Sequence, residues 1–127
     1  CYQDANRDPA GVDRLNGRLY RVRYGDTPRA KSFDLSKKTD DELVELLKSG
    51  NGFLRDHAQR LLTERASKEL TPKLEAMVKD EALARHSRMA ALWVLIGSEQ
   101  LSDEFSLRLL NSKDSGFAAW AIRAAGN

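Results

Sequence analysis

Asn51-Gly52-Phe53-Leu54-Arg55-Asp56-His57-Ala58-Gln59-Arg60-Leu61-Leu62 is the stretch on which the reading of this chain turns. Ala58 is followed three and four residues later by Leu61 and Leu62, so all three share one face of a helix. The same figure returns as Ala91 with Val94–Leu95 and as Ala121 with Ala124–Ala125, thirty-three and then thirty residues on. Ahead of each lies a second apolar stripe, Leu46–Leu47, Met77–Val78 and Leu109–Leu110, stepping by thirty-one and thirty-two. Two helices per period of about thirty residues is the pattern of stacked helical hairpins, an α-solenoid. Small alanines at the crossing points let helix axes approach to about 8–10 Å.

Turn and cap chemistry punctuates each unit. Thr39-Asp40-Asp41-Glu42 fits a capping box, with Leu43, Leu46 and Leu47 as the stripe behind it. Gly50 suits a left-handed helix stop and Asn51 the cap of the next helix, expected from Phe53 to Glu64 with Leu54 inward. A second pair starts near Ser67 or Thr71, where Pro72 fits a first turn, with Leu70, Leu74, Met77 and Val78 as its stripe. Its partner, expected over Glu81–Ile96, carries Leu83, Ala84, Ala91, Leu92, Val94 and Leu95 and is the most continuously apolar stretch, as a central repeat requires. The third pair begins at Ser102, with Phe105, Leu109 and Leu110 inward. Ser115 would cap a last helix whose Phe117, Trp120, Ala121 and Ala124 share a face. That helix has Arg123 as its single charge, so more chain or a partner is expected to cover it.

Residues 1–35 are different in kind. Turn signals at Asp8-Pro9-Ala10-Gly11, Asn16-Gly17 and Gly25-Asp26 bracket Arg18-Leu19-Tyr20-Arg21-Val22-Arg23-Tyr24, which alternates from Tyr20 onward and reads as one short strand. A single strand cannot stand alone. It pairs with something outside the chain or lies as an extended arm, and a linker from Thr27 to Ser36 docks Phe33 and Leu35 on the first helix. The chain opens on Cys1 and ends on Ala-Ala-Gly-Asn after an apolar helix, so a fragment or processed piece is expected. A lipid-modified terminal cysteine is the alternative.

The 127 residues are enough for one ordinary domain; 41% are hydrophobic and 31% charged, which places the chain among globular proteins. Twenty-one basic and nineteen acidic residues leave a net charge of +2, too balanced to argue for nucleic acid. No apolar run approaches the roughly 20 residues of a membrane span. One cysteine excludes an internal disulfide.

No constellation for catalysis emerges. His57 and His86 occupy equivalent helices without ligand-spaced partners, Ser87 cannot face His86 from the adjacent position, and Cys1 has no base beside it. Arg55 and Arg88 each precede a repeat alanine by three residues. Such arginines either line an anionic groove or tie a repeat to neighbouring acids. Asp56, Asp80 and Glu81 are available, and Ala118 interrupts the ladder in the third repeat, so the tie is favoured. Arg14, Arg18, Arg21, Arg23, Arg29 and Lys31, interleaved with Tyr20 and Tyr24, form a modest basic patch; a solvated strand face is favoured over a nucleic-acid surface. Trp93 is expected in the core, Trp120 in the core or at an interface. The candidate interaction surface is Arg55, Arg88, Phe117, Trp120, Arg21 and Arg23, with no catalytic, cofactor or metal residues.

Tyr2-Gln3-Asp4, Asn16-Gly17-Arg18-Leu19-Tyr20-Arg21-Val22 and Phe33-Asp34-Leu35 resemble a junction in planctomycete-type membrane-bound dehydrogenases. The blocks Asp41–Leu47, Asn51–Leu62 and Ala91–Leu95 are similar too. In that family a sugar-dehydrogenase-like propeller is followed by HEAT-like repeats and often a c-type haem domain. The haem motif and the propeller that would carry quinone and calcium ligands are missing, so no catalytic residue transfers. The resemblance implies a non-catalytic scaffold segment of a larger exported or periplasmic bacterial protein, binding protein or its parent's other domains. An accessory segment of a sugar or alcohol oxidoreductase and a nucleic-acid-binding HEAT-like module are the alternatives. HEAT units commonly run to about 40 residues, so these repeats are of a short type. The expected architecture is mainly α: an extended arm over 1–35, then three HEAT-like hairpins over 39–127.

Overall fold

A computed structural model describes residues 20–28 and 31–126, and the chain divides into two units, Cys1–Ser32 and Phe33–Asn127. The described part of the first unit is exposed backbone from Tyr20 to Pro28, turned at Gly25, whose φ of +54° is a glycine conformation. The Thr27 amide and hydroxyl both donate to the Tyr24 carbonyl there. Of the expected strand, Arg18 and Leu19 fall outside the described residues; Tyr20–Tyr24 join no ladder among those described.

The second unit is helical. A 3-10 turn, Leu35–Lys37, precedes α1 (Asp40–Leu46), α2 (Gly52–Arg65), α3 (Thr71–Lys79), α4 (Arg85–Gly97), α5 (Asp103–Leu110) and α6 (Ser115–Ala125). Consecutive helices pair, α1 with α2, α3 with α4 and α5 with α6, and α2 also packs on α4. The capping box forms: the Thr39 hydroxyl accepts the Glu42 amide, and the Glu42 carboxylate accepts the Thr39 amide at 2.8 Å. Asn51 caps α2, Ser102 caps α5, and Pro72 sits in the first turn of α3.

One continuous core runs through the pairs. Ala58, Ala91 and Ala121 are all buried in it, at 0%, 0% and 1% exposure. Around them lie Leu43, Val44, Leu47, Leu62, Leu74, Val78, Leu92, Leu95, Phe105, Leu109 and Phe117. Helix α4, packed against both α2 and α3, is the most buried element.

Several local expectations are corrected. Gly50 does not take the left-handed conformation; α1 closes in a tight turn in which Lys48 and Ser49 amides donate back three residues. The left-handed stops fall on Ala66 (φ 47°) and Glu99 (φ 56°), thirty-three residues apart at the ends of α2 and α4. Helix α4 starts four residues late because Asp80 ends α3 and its carboxylate accepts the Ala82 amide, turning the chain; Ala84 is therefore exposed. Asp114, not Ser115, caps α6. Phe33 meets Phe53 of α2 edge-on, at 6.1 Å between ring centroids, and so docks on the second helix, not the first. Leu110 is 43% exposed.

Candidate functional site

The second helices of the three pairs, α2, α4 and α6, together line an open groove of about 230 Å³. Its floor is Met89, Trp93 and Trp120, with the indoles edge to face at 5.6 Å. Its walls are Arg55 and Asp56 from α2, Arg85 and His86 from α4, and Gly116 from α6. Positions 85, 86, 89 and 93 lie along one side of α4 at helical spacing, with Arg85 and His86 exposed and Met89 buried.

The arginines are anchored. Arg55 donates to the Ser49 carbonyl at 3.0 Å, and Arg88 donates through Nε to the Val78 carbonyl at 2.9 Å. Arg55 thus ties to the loop that follows α1, and Arg88 to a carbonyl in the last turn of α3, where carbonyls lack intrahelical partners. The expected tie to neighbouring acids is corrected: backbone carbonyls of the same pair supply the hydrogen-bond partners, and Asp56 stands 3.8 Å from Arg55. Arg88 also lies over the Phe117 ring at 4.9 Å. Phe117 is 1% exposed, so as a surface contact it is corrected to core. Trp120 is half-buried on the groove floor, and Arg123 stacks on it at 5.3 Å. Arg21 and Arg23 belong to the first unit and are exposed; Arg21 donates to the Pro28 carbonyl at 3.4 Å. Arg14, Arg18 and Arg29 lie outside the described residues.

Arg85 was not singled out by sequence, yet it carries the strongest ion pair of the groove. Its guanidinium grips Asp114 bidentately, Nε to Oδ2 at 2.5 Å and a terminal nitrogen to Oδ1 at 3.0 Å. That hydrogen bonding, with the Gly116 amide second, holds the Asp114 carboxyl down to about 2. The only signal in the sequence was the twenty-nine-residue gap, close to one repeat. The Trp93 indole nitrogen is buried with no acceptor among the described residues.

The two histidines sit in different settings. The His57 ring stacks on Phe53 at 4.0 Å and its Nδ1 pairs with the Phe53 carbonyl. His86 is exposed at the groove rim. Among the described residues no three His, Cys, Asp or Glu side chains come together as a metal site, and no helix is long and apolar enough to cross a membrane. No protein-family profile, curated protein or solved structure matches this chain.

Proposed function

We propose that this chain is a short α-solenoid of three HEAT-like hairpins that works as a non-catalytic protein-interaction module, with the α2–α4–α6 groove as its contact surface. The observation that carries the reading is the groove itself. One helix from each hairpin contributes, two tryptophans form the floor, and the wall arginines Arg55 and Arg85 are already held in place by Ser49 and Asp114. Preorganised aromatic anchors beside fixed charges are the composition of interface hot spots. The repeat reading is supported by the common burial of Ala58, Ala91 and Ala121 and by Arg55 and Arg88, each of which donates to a carbonyl of its own pair.

Charge favours protein over nucleic acid as the partner. Arg85 is neutralised by Asp114 and Arg55 is partly offset by Asp56. A nucleic-acid surface relies on several free cations to displace counterions from phosphates. The family resemblance of the sequence supports placing the module within a larger exported bacterial protein, as a scaffold segment beside a propeller.

The test is peptide display panned against the full chain, with recovered peptides titrated by tryptophan fluorescence. Binders should lose at least ten-fold affinity on Trp120→Ala and on Arg85→Ala. Peptides indifferent to both changes would place recognition elsewhere. A substrate turnover by the chain that a single side-chain change abolished would refute the non-catalytic reading.

A further inference from the structure

Gly116 lines the α2–α4–α6 groove from the first turn of α6, and the space beside it is taken. A Cβ built there would fall on a terminal nitrogen of Arg85, with the Arg85 Cζ at 3.5 Å and the Asp114 Oδ1 at 3.0 Å. The guanidinium thus lies where any other residue would carry its first side-chain carbon. From that slot it grips Asp114 through Nε and a terminal nitrogen, and its centre stands 5.9 Å from the Phe117 ring. The Asp114 Oδ1 also accepts the Gly116 amide at 2.8 Å, so helix cap, ion pair and glycine form one unit. The atom in the way is the far end of a flexible side chain, so a Cβ at 116 displaces the guanidinium and spares the backbone of α6.

We propose that Gly116 is the specificity-determining position of the groove: by leaving the slot open for Arg85 it keeps the wall neutral, so that the groove selects an uncharged apolar segment of a partner protein over an acidic one. This rests on the reading of the groove as a contact surface. With Arg85 docked, the arginines of the wall, Arg55 and Arg85, are balanced by Asp56 and Asp114, and His86 stands exposed at the rim. The floor beneath is Met89 and two indoles. A partner carboxylate brought over that floor would lose its water, while the nearest fork of Arg85 is already filled by Asp114. An undocked Arg85 would change the balance. Asp114 stands outside the lining of the groove, so a guanidinium that leaves it and turns inward arrives with its charge uncompensated. The groove would then favour an acid.

Two measurements on the full chain test this. The first is the NMR signal of the Arg85 Nε–H group at about pH 5, where Asp114 is ionised. It should move on Asp114→Asn, which breaks the ion pair, and by a similar amount on Gly116→Ala. Joining the two changes should move it no further. Gly116→Ser carries the same Cβ, acts alike, and replaces the alanine variant should that lose its helical circular dichroism. The second measurement titrates peptides recovered by display on the unaltered chain, as recovered and with one glutamine changed to glutamate. Glutamate should bring no gain on the unaltered chain and about two- to five-fold tighter binding on Gly116→Ala. An Arg85 signal that stays in place in Gly116→Ala, or that moves again in the double variant, overturns the inference and leaves the groove reading standing. Glutamate favoured equally by both chains overturns the selection. Panning that yields no peptide sensitive to Trp120→Ala removes the groove reading, and the specificity claim with it, whatever the Arg85 signal does.

Discussion

Replacing Arg88 by alanine removes three contacts at once. The first is the 2.9 Å bond from Nε to the Val78 carbonyl, charge-assisted and half-buried, worth about 1.5–2 kcal/mol. The second is the stacking of the guanidinium on Phe117, worth about 0.5–1 kcal/mol. The third is the aliphatic stem that helps keep Phe117 at 1% exposure. Alanine returns a few tenths of a kcal/mol in helix propensity. The expected loss is about 2–3 kcal/mol, or roughly 10–20 °C in Tm for a domain of this size. Arg55→Ala, which removes a similar carbonyl bond but no aromatic contact, should cost about 1–2 kcal/mol. Urea denaturation followed by helical circular dichroism gives both numbers. A cycle combining Arg88→Ala with Phe117→Leu should isolate a coupling of about 0.5–1 kcal/mol. The reasoning fails if Arg88→Ala lies within 0.5 kcal/mol of the unaltered chain. It also fails if Arg108→Ala, an exposed control, costs as much.

Three further outcomes follow from the same contacts. Ala66→Gly and Glu99→Gly should each stabilise by about 0.5–1 kcal/mol, since both residues hold left-handed backbone that glycine adopts without strain; urea midpoints that fall would count against it. Ala91→Leu should destabilise by about 1–3 kcal/mol through overpacking at a fully buried crossing, whereas Ala119→Leu, exposed on α6, should stay within 0.5 kcal/mol; thermal melts separate them. Acid should unfold the helical unit. Glu42, held near 2 by the Thr39 amide and then by Lys38, and Asp114, held near 2 by Arg85, both have folded values below their unfolded ones. Their contribution is therefore complete above about pH 5 and is lost as pH falls toward 2. Glu42→Gln and Asp114→Asn should each flatten stability against pH in that window, and unchanged slopes would contradict the assignment.

What was legible in the sequence was what short-range chemistry dictates. The Thr39–Glu42 box, the Asn51 and Ser102 caps and Pro72 act within four residues, and the alanine–leucine spacing fixes a helix face whatever lies opposite. The missed features depend on competition or on distance. Ala84 is apolar and helix-prone, yet Asp80 captures a backbone amide first and delays α4. Gly50 permits a left-handed turn, but the loop closes through ordinary tight-turn bonds and leaves that conformation to Ala66. The arginines were expected to meet acids of a neighbouring repeat, but their partners are carbonyls of their own pair, which carry no signature in a sequence. Arg85 and Asp114 meet only because two pairs stack. Leu110 has the pattern of a core residue, yet it is 43% exposed.

The central claim is that successive helical pairs stack through matching positions of their second helices. Two contacts between pairs report on it together in one NOESY experiment on the full chain. At the first, a Cβ on Gly97 would stand 2.8 Å from the Thr63 methyl carbon. At the second, the Trp93 and Trp120 rings lie 5.6 Å apart. The account predicts cross-peaks from the Thr63 methyl to the Gly97 α-protons and between the two indole rings. Assigned spectra of the folded chain in which both are absent would contradict it.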